Sequence, residues 1–265
     1  MAFNIEQEES GSIKLYRGAH MFTGEWYTPK SFVEIVSPGD TILFGNHHLE
    51  TSSSEPEVVI PLQWTVLKKT GARLLLLNKY QVMLTLVGNS DAPFSYRDSY
   101  IRQELKEVLP EWFKEKELQL IEDTHLGKTS NPAFDTIDNP DVRDKLFLLS
   151  AEEVLEFFDP DAYQVIGTIH DKLIPNEYRR RYYPMSNAGA DAQYAFVDTS
   201  SKDNREIINL RIIDFLGWWT RTPGCEDGDV ALYETGGKLN LDGLSADSDE
   251  VGIRPALWLD LSRID

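Results

Sequence analysis

Cys225 is the only cysteine of the chain, and it sits in the run Thr222-Pro223-Gly224-Cys225-Glu226-Asp227. A thiol beside two carboxylates is held protonated, because the neighbouring charge disfavours the thiolate that would attack a substrate. The nearest histidine in sequence, His170, is far along the chain, so no Cys-His pair is indicated. A single cysteine also excludes an internal disulfide framework and a cysteine-based zinc site. Other catalytic signatures are missing. No Gly-x-Ser-x-Gly elbow occurs, and Gly236-Gly237-Lys238 lacks the spacing of a phosphate loop and reads as a hairpin turn. His47 and His48 are adjacent and would point to opposite faces of a strand, a poor arrangement for gripping one ion. Asp242, Asp247, Asp249 and Glu250 offer the oxygens a calcium ion takes, without EF-hand spacing, and a solvated acidic loop is the competing reading. No other cofactor is expected.

Two further groups have chemistry in them. Arg179-Arg180-Arg181, flanked by Tyr178, Tyr182 and Tyr183, could grip phosphate or stack on bases, or could pair with the chain's own carboxylates. Trp218 and Trp219 would face opposite sides of a strand, leaving one free to form a stacking platform unless both pack inside. Arg221 and Arg254 read as buried supports needing acidic partners, with Asp227 or Asp229 as candidates for that role.

The charge balance limits the partners. Asp and Glu number 44 against 26 Lys and Arg, a net charge of −18, which repels nucleic-acid phosphates and anionic lipid. Nucleic-acid and membrane partners are therefore not expected. With 41% hydrophobic residues and ordinary charged content, a self-sufficient core is. No apolar run approaches membrane-spanning length, and the polar start of the chain is no signal peptide, so the expected location is cytoplasmic.

The elements that would carry these residues alternate in kind. Residues 1–37 mix polar and aromatic side chains without a clean period and read as an extension packed on a single domain of residues 38–265. Ser37-Pro38-Gly39-Asp40 is a turn signal feeding a short strand over 41–45, followed by a polar loop over 46–56. Residues 60–69 alternate in part, and Thr70-Gly71-Ala72 turns them into the apolar strand 73–78. Ser95 can cap a helix in which Ile101, Leu105 and Val108 form an apolar stripe, with Pro110 restarting a second, charged helix. Residues 146–149 read as a buried strand, and Ser150-x-x-Glu153 as a capping box ahead of another helix. Residues 172–202 read as a long irregular insertion. Short strands over 211–215, 229–234, 238–241 and 255–261 follow. Strands, helices and strands again indicate an α+β fold.

Four segments in order resemble a known family: Gly39 to Gly45, Leu62-Gln63-Trp64-Thr65-Val66-Leu67, Trp218-Trp219-Thr220-Arg221-Thr222-Pro223-Gly224, and Gly252-Ile253-Arg254-Pro255-Ala256-Leu257. With Lys145 to Val154 between them, they are similar to an uncharacterised bacterial domain carrying P-I-x-W-x-V-L, W-W-L-R-S-P-G and G-V-R-P-A-L motifs. That family resembles the C-type-lectin-like domains of formylglycine-generating-enzyme type. The resemblance implies a C-type-lectin-like fold with short antiparallel strands, two or three helices and long irregular loops. It does not carry over an activity, because the catalytic cysteines and the calcium-sugar motifs E-P-N and W-N-D have no counterpart here.

The reading is a non-enzymatic binding module for an unknown protein or small molecule. Its expected binding residues are Trp219, Arg221, Glu226, Asp227, Tyr233 and Asp247. The alternatives are an enzyme using carboxylates and Arg221 in a cleft, and an interaction subunit using its aromatic N-terminal segment as an interface.

Overall fold

A computed structural model of the chain describes residues 2–17, 25–49, 58–79, 81, 86–158, 162–164, 217–234 and 238–264. The insertion expected at 172–202, the Arg179–Arg181 cluster and the strand expected at 211–215 lie outside the described residues.

The N-terminal part is mostly strand. It comprises β1 (Ala2–Gln7), β2 (Ile13–Arg17), β3 (Glu25–Tyr27), α1 (Pro29–Ile35), β4 (Thr41–Leu49), β5 (Val58–Thr70) and β6 (Arg73–Asn78). Helices and short strands follow: α2 (Tyr100–Glu107), α3 (Leu109–Trp112), α4 (Glu115–Leu120), β7 (Thr124–Leu126), β8 (Thr129–Ser130), β9 (Ile137–Asp138), β10 (Val142–Asp144) and α5 (Ala151–Phe157). The chain closes with β11 (Ala162–Gln164), β12 (Gly217–Pro223), β13 (Asp229–Glu234), β14 (Lys238–Ser245), β15 (Val251–Gly252) and β16 (Ala256–Asp260). The architecture is α+β.

One sheet has seven strands in the order β16-β6-β5-β4-β1-β2-β3, and a second has five in the order β11-β14-β13-β12-β15. Most pairings are antiparallel, but β1 runs parallel to β4, β15 to β12 and β11 to β14. The segment 1–37, read as an extension without a period, contributes three strands to the larger sheet. Phe3, Ile5, Leu15 and Phe32 enter the core, while Trp26 stays half exposed.

Local chemistry explains the turns. At Ser37–Asp40 the Ser37 N–H donates to the Asp40 carboxylate (2.9 Å), and Gly39, at φ +90°, donates to the Val66 carbonyl (2.8 Å). The strand expected to end at Gly45 continues to Leu49 through a bulge between Leu43 and Asn46. Gly45 makes the bulge affordable: its φ is +73°, and a methyl there would lie 2.5 Å from the Phe113 ring. Helix α2 is capped by Ser99 rather than Ser95. The Asp138 carboxylate takes the Tyr96 N–H at 2.8 Å, which winds residues 96–98 into a 3₁₀ turn and delays the helix by one turn.

Residues 146–149 are buried as expected but form no strand of their own. Phe147 bridges Ala256 of the larger sheet, and the Leu149 carbonyl accepts the Arg221 N–H of the smaller one at 2.9 Å. This segment stitches the two sheets together and leads directly into α5.

Candidate functional site

Every residue of β12 is buried. Trp219 is fully enclosed and Trp218 nearly so, so neither forms the open platform that a strand alternation would allow. Trp218 stacks on Tyr233 (centroids 5.3 Å apart, planes at 28°), with Phe158 beside both and the Arg254 guanidinium 5.3 Å from the Trp218 ring. Trp219 and Tyr233, expected at a binding surface, are therefore core residues of the five-stranded sheet.

Arg221 is also internal. Its Nη1 donates to the Leu148 carbonyl (2.7 Å) and to the Glu153 carboxylate, and its guanidinium lies near the Phe147 ring. The expected partners, Asp227 and Asp229, make no ion pair with it among the described residues; Glu153 takes that place. The same Glu153 oxygen accepts the Ser150 N–H at 2.8 Å, while Ser150 Oγ accepts the Glu153 N–H. One carboxylate thus completes the capping box and neutralises a buried arginine. Sequence spacing revealed the first role and not the second, because the pairing needs residues 146–151 to run alongside β12. Thr222 strengthens that seam, its Oγ1 accepting the Ala151 N–H at 2.9 Å.

Beyond Pro223 the chain leaves the core in a turn, residues 224–228, that is pinned at several points. Gly224 N–H donates to Asp229 O (2.7 Å) and Cys225 N–H to Asp242 O (2.8 Å), while Thr136 Oγ1 donates to Gly224 O (2.6 Å). Asn131 Nδ2 bridges the Pro223 and Leu241 carbonyls from below. At the far end Gly228, at φ +80°, lies so close to Ser90 that a methyl would meet its carbonyl at 2.3 Å. Ala246 N–H donates to Gly228 O at 2.8 Å, and Asp247 accepts the hydroxyls of Ser90 (2.8 Å) and Ser245 (2.5 Å).

Glu226, Asp227 and Asp247 are exposed on the rim made by these turns. Of the six expected binding residues the fold gathers these three at the surface and places Trp219, Arg221 and Tyr233 beneath it. Sequence reasoning missed Ser90, Asn131 and Thr136, which fix the rim from distant loops and carry no motif. Burial, with Asp229, Asp242 and Glu226 adding to it, pushes the Cys225 thiol up. Burial and Glu226 push Asp229 up, whereas the Ser245 and Ser90 hydroxyls draw Asp247 down. Among the described residues no group of three or more His, Cys, Asp or Glu could hold a metal ion, so the acidic run of 242–250 is not drawn into a cage. His47 lies edge-on to Trp112, and His125 is bonded to Asp141.

Elsewhere, a shallow cleft of about 400 Å³ separates α1 from the C-terminal segment, with Pro29, Val33, Leu261 and Ile264 in its wall. Arg221 is not part of it. No helix among the described residues is long and apolar enough to cross a membrane.

No curated protein and no solved structure matches the chain. Nothing connects it to formylglycine-generating enzymes or C-type-lectin-like domains. A family model does match, over residues 71–261. It takes in the segments around Glu153, Trp218 to Gly224 and Gly252 to Leu257, and leaves β4 and β5 outside. The chain belongs to the DUF6273 family, a domain of unknown function.

Proposed function

We propose that this chain is a non-enzymatic binding module that presents the rim around Glu226, Asp227 and Asp247 to a protein or small-molecule ligand. The observation that carries the reading is the contrast between the two ends of one motif. Arg221 and the tryptophans are bound up in the frame, whereas the turn immediately after them is pinned by backbone bonds and directs its side chains outward. Preorganised backbone with exposed side chains suits recognition, because little ordering cost falls on binding. The net charge of −18 favours ligands that are neutral or positive. A C-type-lectin-like display fold, the cytoplasm as the location and a bacterial source are compatible with this reading and remain part of the proposal. The enzyme reading needs Arg221 to face a cleft, and its ties to Glu153 and Leu148 oppose that.

Amide chemical-shift mapping against a library of small molecules and short peptides tests the proposal. Binding shifts gathered at residues 224–228, 89–91 and 245–250 support it. Shifts gathered at the cleft beside α1 contradict it.

A further inference from the structure

Helix α4 opens on a carboxylate shared by two elements. Glu117, at the third position of the helix, is 2% exposed. Its Oε2 accepts the Lys114 N–H at 2.8 Å, and its Oε1 accepts the Gln7 N–H at 3.4 Å. Gln7 is the last residue of β1, and the same helix turn holds it twice more. Lys114 Nζ donates to the Gln7 carbonyl (3.0 Å), and the Lys116 N–H donates to Gln7 Oε1 (2.9 Å). Because β1 carries β2 and β3, this joint fastens these N-terminal strands, which lie outside the family match, to a helix that lies inside it.

We propose that Glu117 is a proton-controlled latch, holding β1 to α4 more tightly when its carboxyl is protonated than when it is ionised. Among the described residues Glu117 forms no salt bridge, and the one cation acting on it, Lys114, bonds elsewhere. The Lys114 ammonium goes to the Gln7 carbonyl instead, and Glu6 of β1 adds negative charge nearby. From the C-terminal 3₁₀ turn packed on α4, Arg263 is engaged with Asp260 and the Gln119 carbonyl. Glu111 of α3 and Glu115 and Lys116 of α4 are exposed.

Burial is the largest influence and pushes Glu117 up. The Lys114 and Gln7 N–H bonds and the Lys114 charge pull it down, Glu6 pushes it up, and the net direction is upward. A carboxyl whose pKa is raised in the closed joint binds its proton more tightly there than in the open one. The joint is therefore favoured at low pH, and that contribution is lost as pH rises through the raised value. The window runs upward from the ordinary carboxylate range.

Residue-resolved amide hydrogen exchange on the full chain, corrected for intrinsic exchange, tests the latch between about pH 4.5 and about pH 8. Protection of β1 relative to β6 should fall several-fold as pH rises, and Glu117→Gln, which cannot ionise, should show a flat ratio. An identical slope in wild type and variant overturns the proposal, as does a wild-type slope of opposite sign. If the variant does not fold, a carbon-13 titration of the Glu117 carboxyl in the native chain decides. A midpoint above that of an ordinary glutamate supports the latch, and one at or below it refutes it.

Discussion

Glu153 and Arg221 lie 68 residues apart in sequence and meet inside the molecule, where the capping carboxylate of α5 closes onto the guanidinium of β12. Because Leu148 and Leu149 bond to the same arginine residue, this pair joins helix, connecting segment and sheet at one point.

Removing the charge at Glu153 should therefore cost far more than a surface ion pair. Glu153→Gln keeps a side chain that can cap the helix but leaves Arg221 buried without its counter-charge. Chemical denaturation should show a loss of roughly 3 kcal/mol, the low end for a broken buried pair because Glu153 is partly exposed. A loss below about 1 kcal/mol, the range of exposed pairs, would mean the joint does not hold the fold together.

Two glycines, Gly217 beside the Trp218 motif and Gly252 within the last one, are held by close contacts. A methyl on Gly217 would lie 2.1 Å from the Tyr233 carbonyl, and one on Gly252 would lie 1.7 Å from Gln81 Oε1. The first obstacle is backbone and the second a side chain, itself bonded through Nε2 to Gly217 O at 3.1 Å. Gly217→Ala should destabilise irreparably, whereas Gly252→Ala should be partly rescued by Gln81→Ala. Thermal unfolding of the four variants checks this, and absence of rescue in the double variant would place the strain at Gly252 elsewhere.

Cys225 should be a sluggish thiol. Burial, Asp229, Asp242 and Glu226 all raise its pKa, so the reactive thiolate is scarce at neutral pH. Asp229→Asn removes one of those charges and should speed alkylation at fixed pH while shifting the rate-against-pH curve to lower pH. An unchanged curve would show that the carboxylates do not control the thiol.

How far the sequence anticipated this molecule depended on the range of the interaction. The Gly71 turn, the Ser150 capping box and the apolar runs of β6 and β16 are local patterns, and the fold follows them. Ser95 precedes only a 3₁₀ turn and Ser99 caps the helix, with Asp138 of β9 holding the Tyr96 N–H from 42 residues away. Trp219, Arg221 and Tyr233 were expected among the binding residues, although Arg221 also read as a buried support and strand alternation left open whether one tryptophan faces outward. Here every residue of β12 is buried, with Phe158 against Trp218 and residues 147–151 bonded to Arg221 and Thr222. Glu226 and Asp227 were expected as binding residues and are exposed in the turn between Gly224 and Gly228, but what pins that turn (Thr136, Asn131 and Ser90) arises only from tertiary contact.

The most direct test of the binding-module account is equilibrium binding and turnover of a ligand found by shift mapping, measured on wild type, Glu226→Ala/Asp227→Ala and Arg221→Lys. The account predicts that the ligand is released unchanged, and that the rim variant binds at least roughly tenfold more weakly at an unaltered melting temperature. Turnover that Arg221→Lys abolishes in a folded protein, or affinity indifferent to the rim, would contradict it.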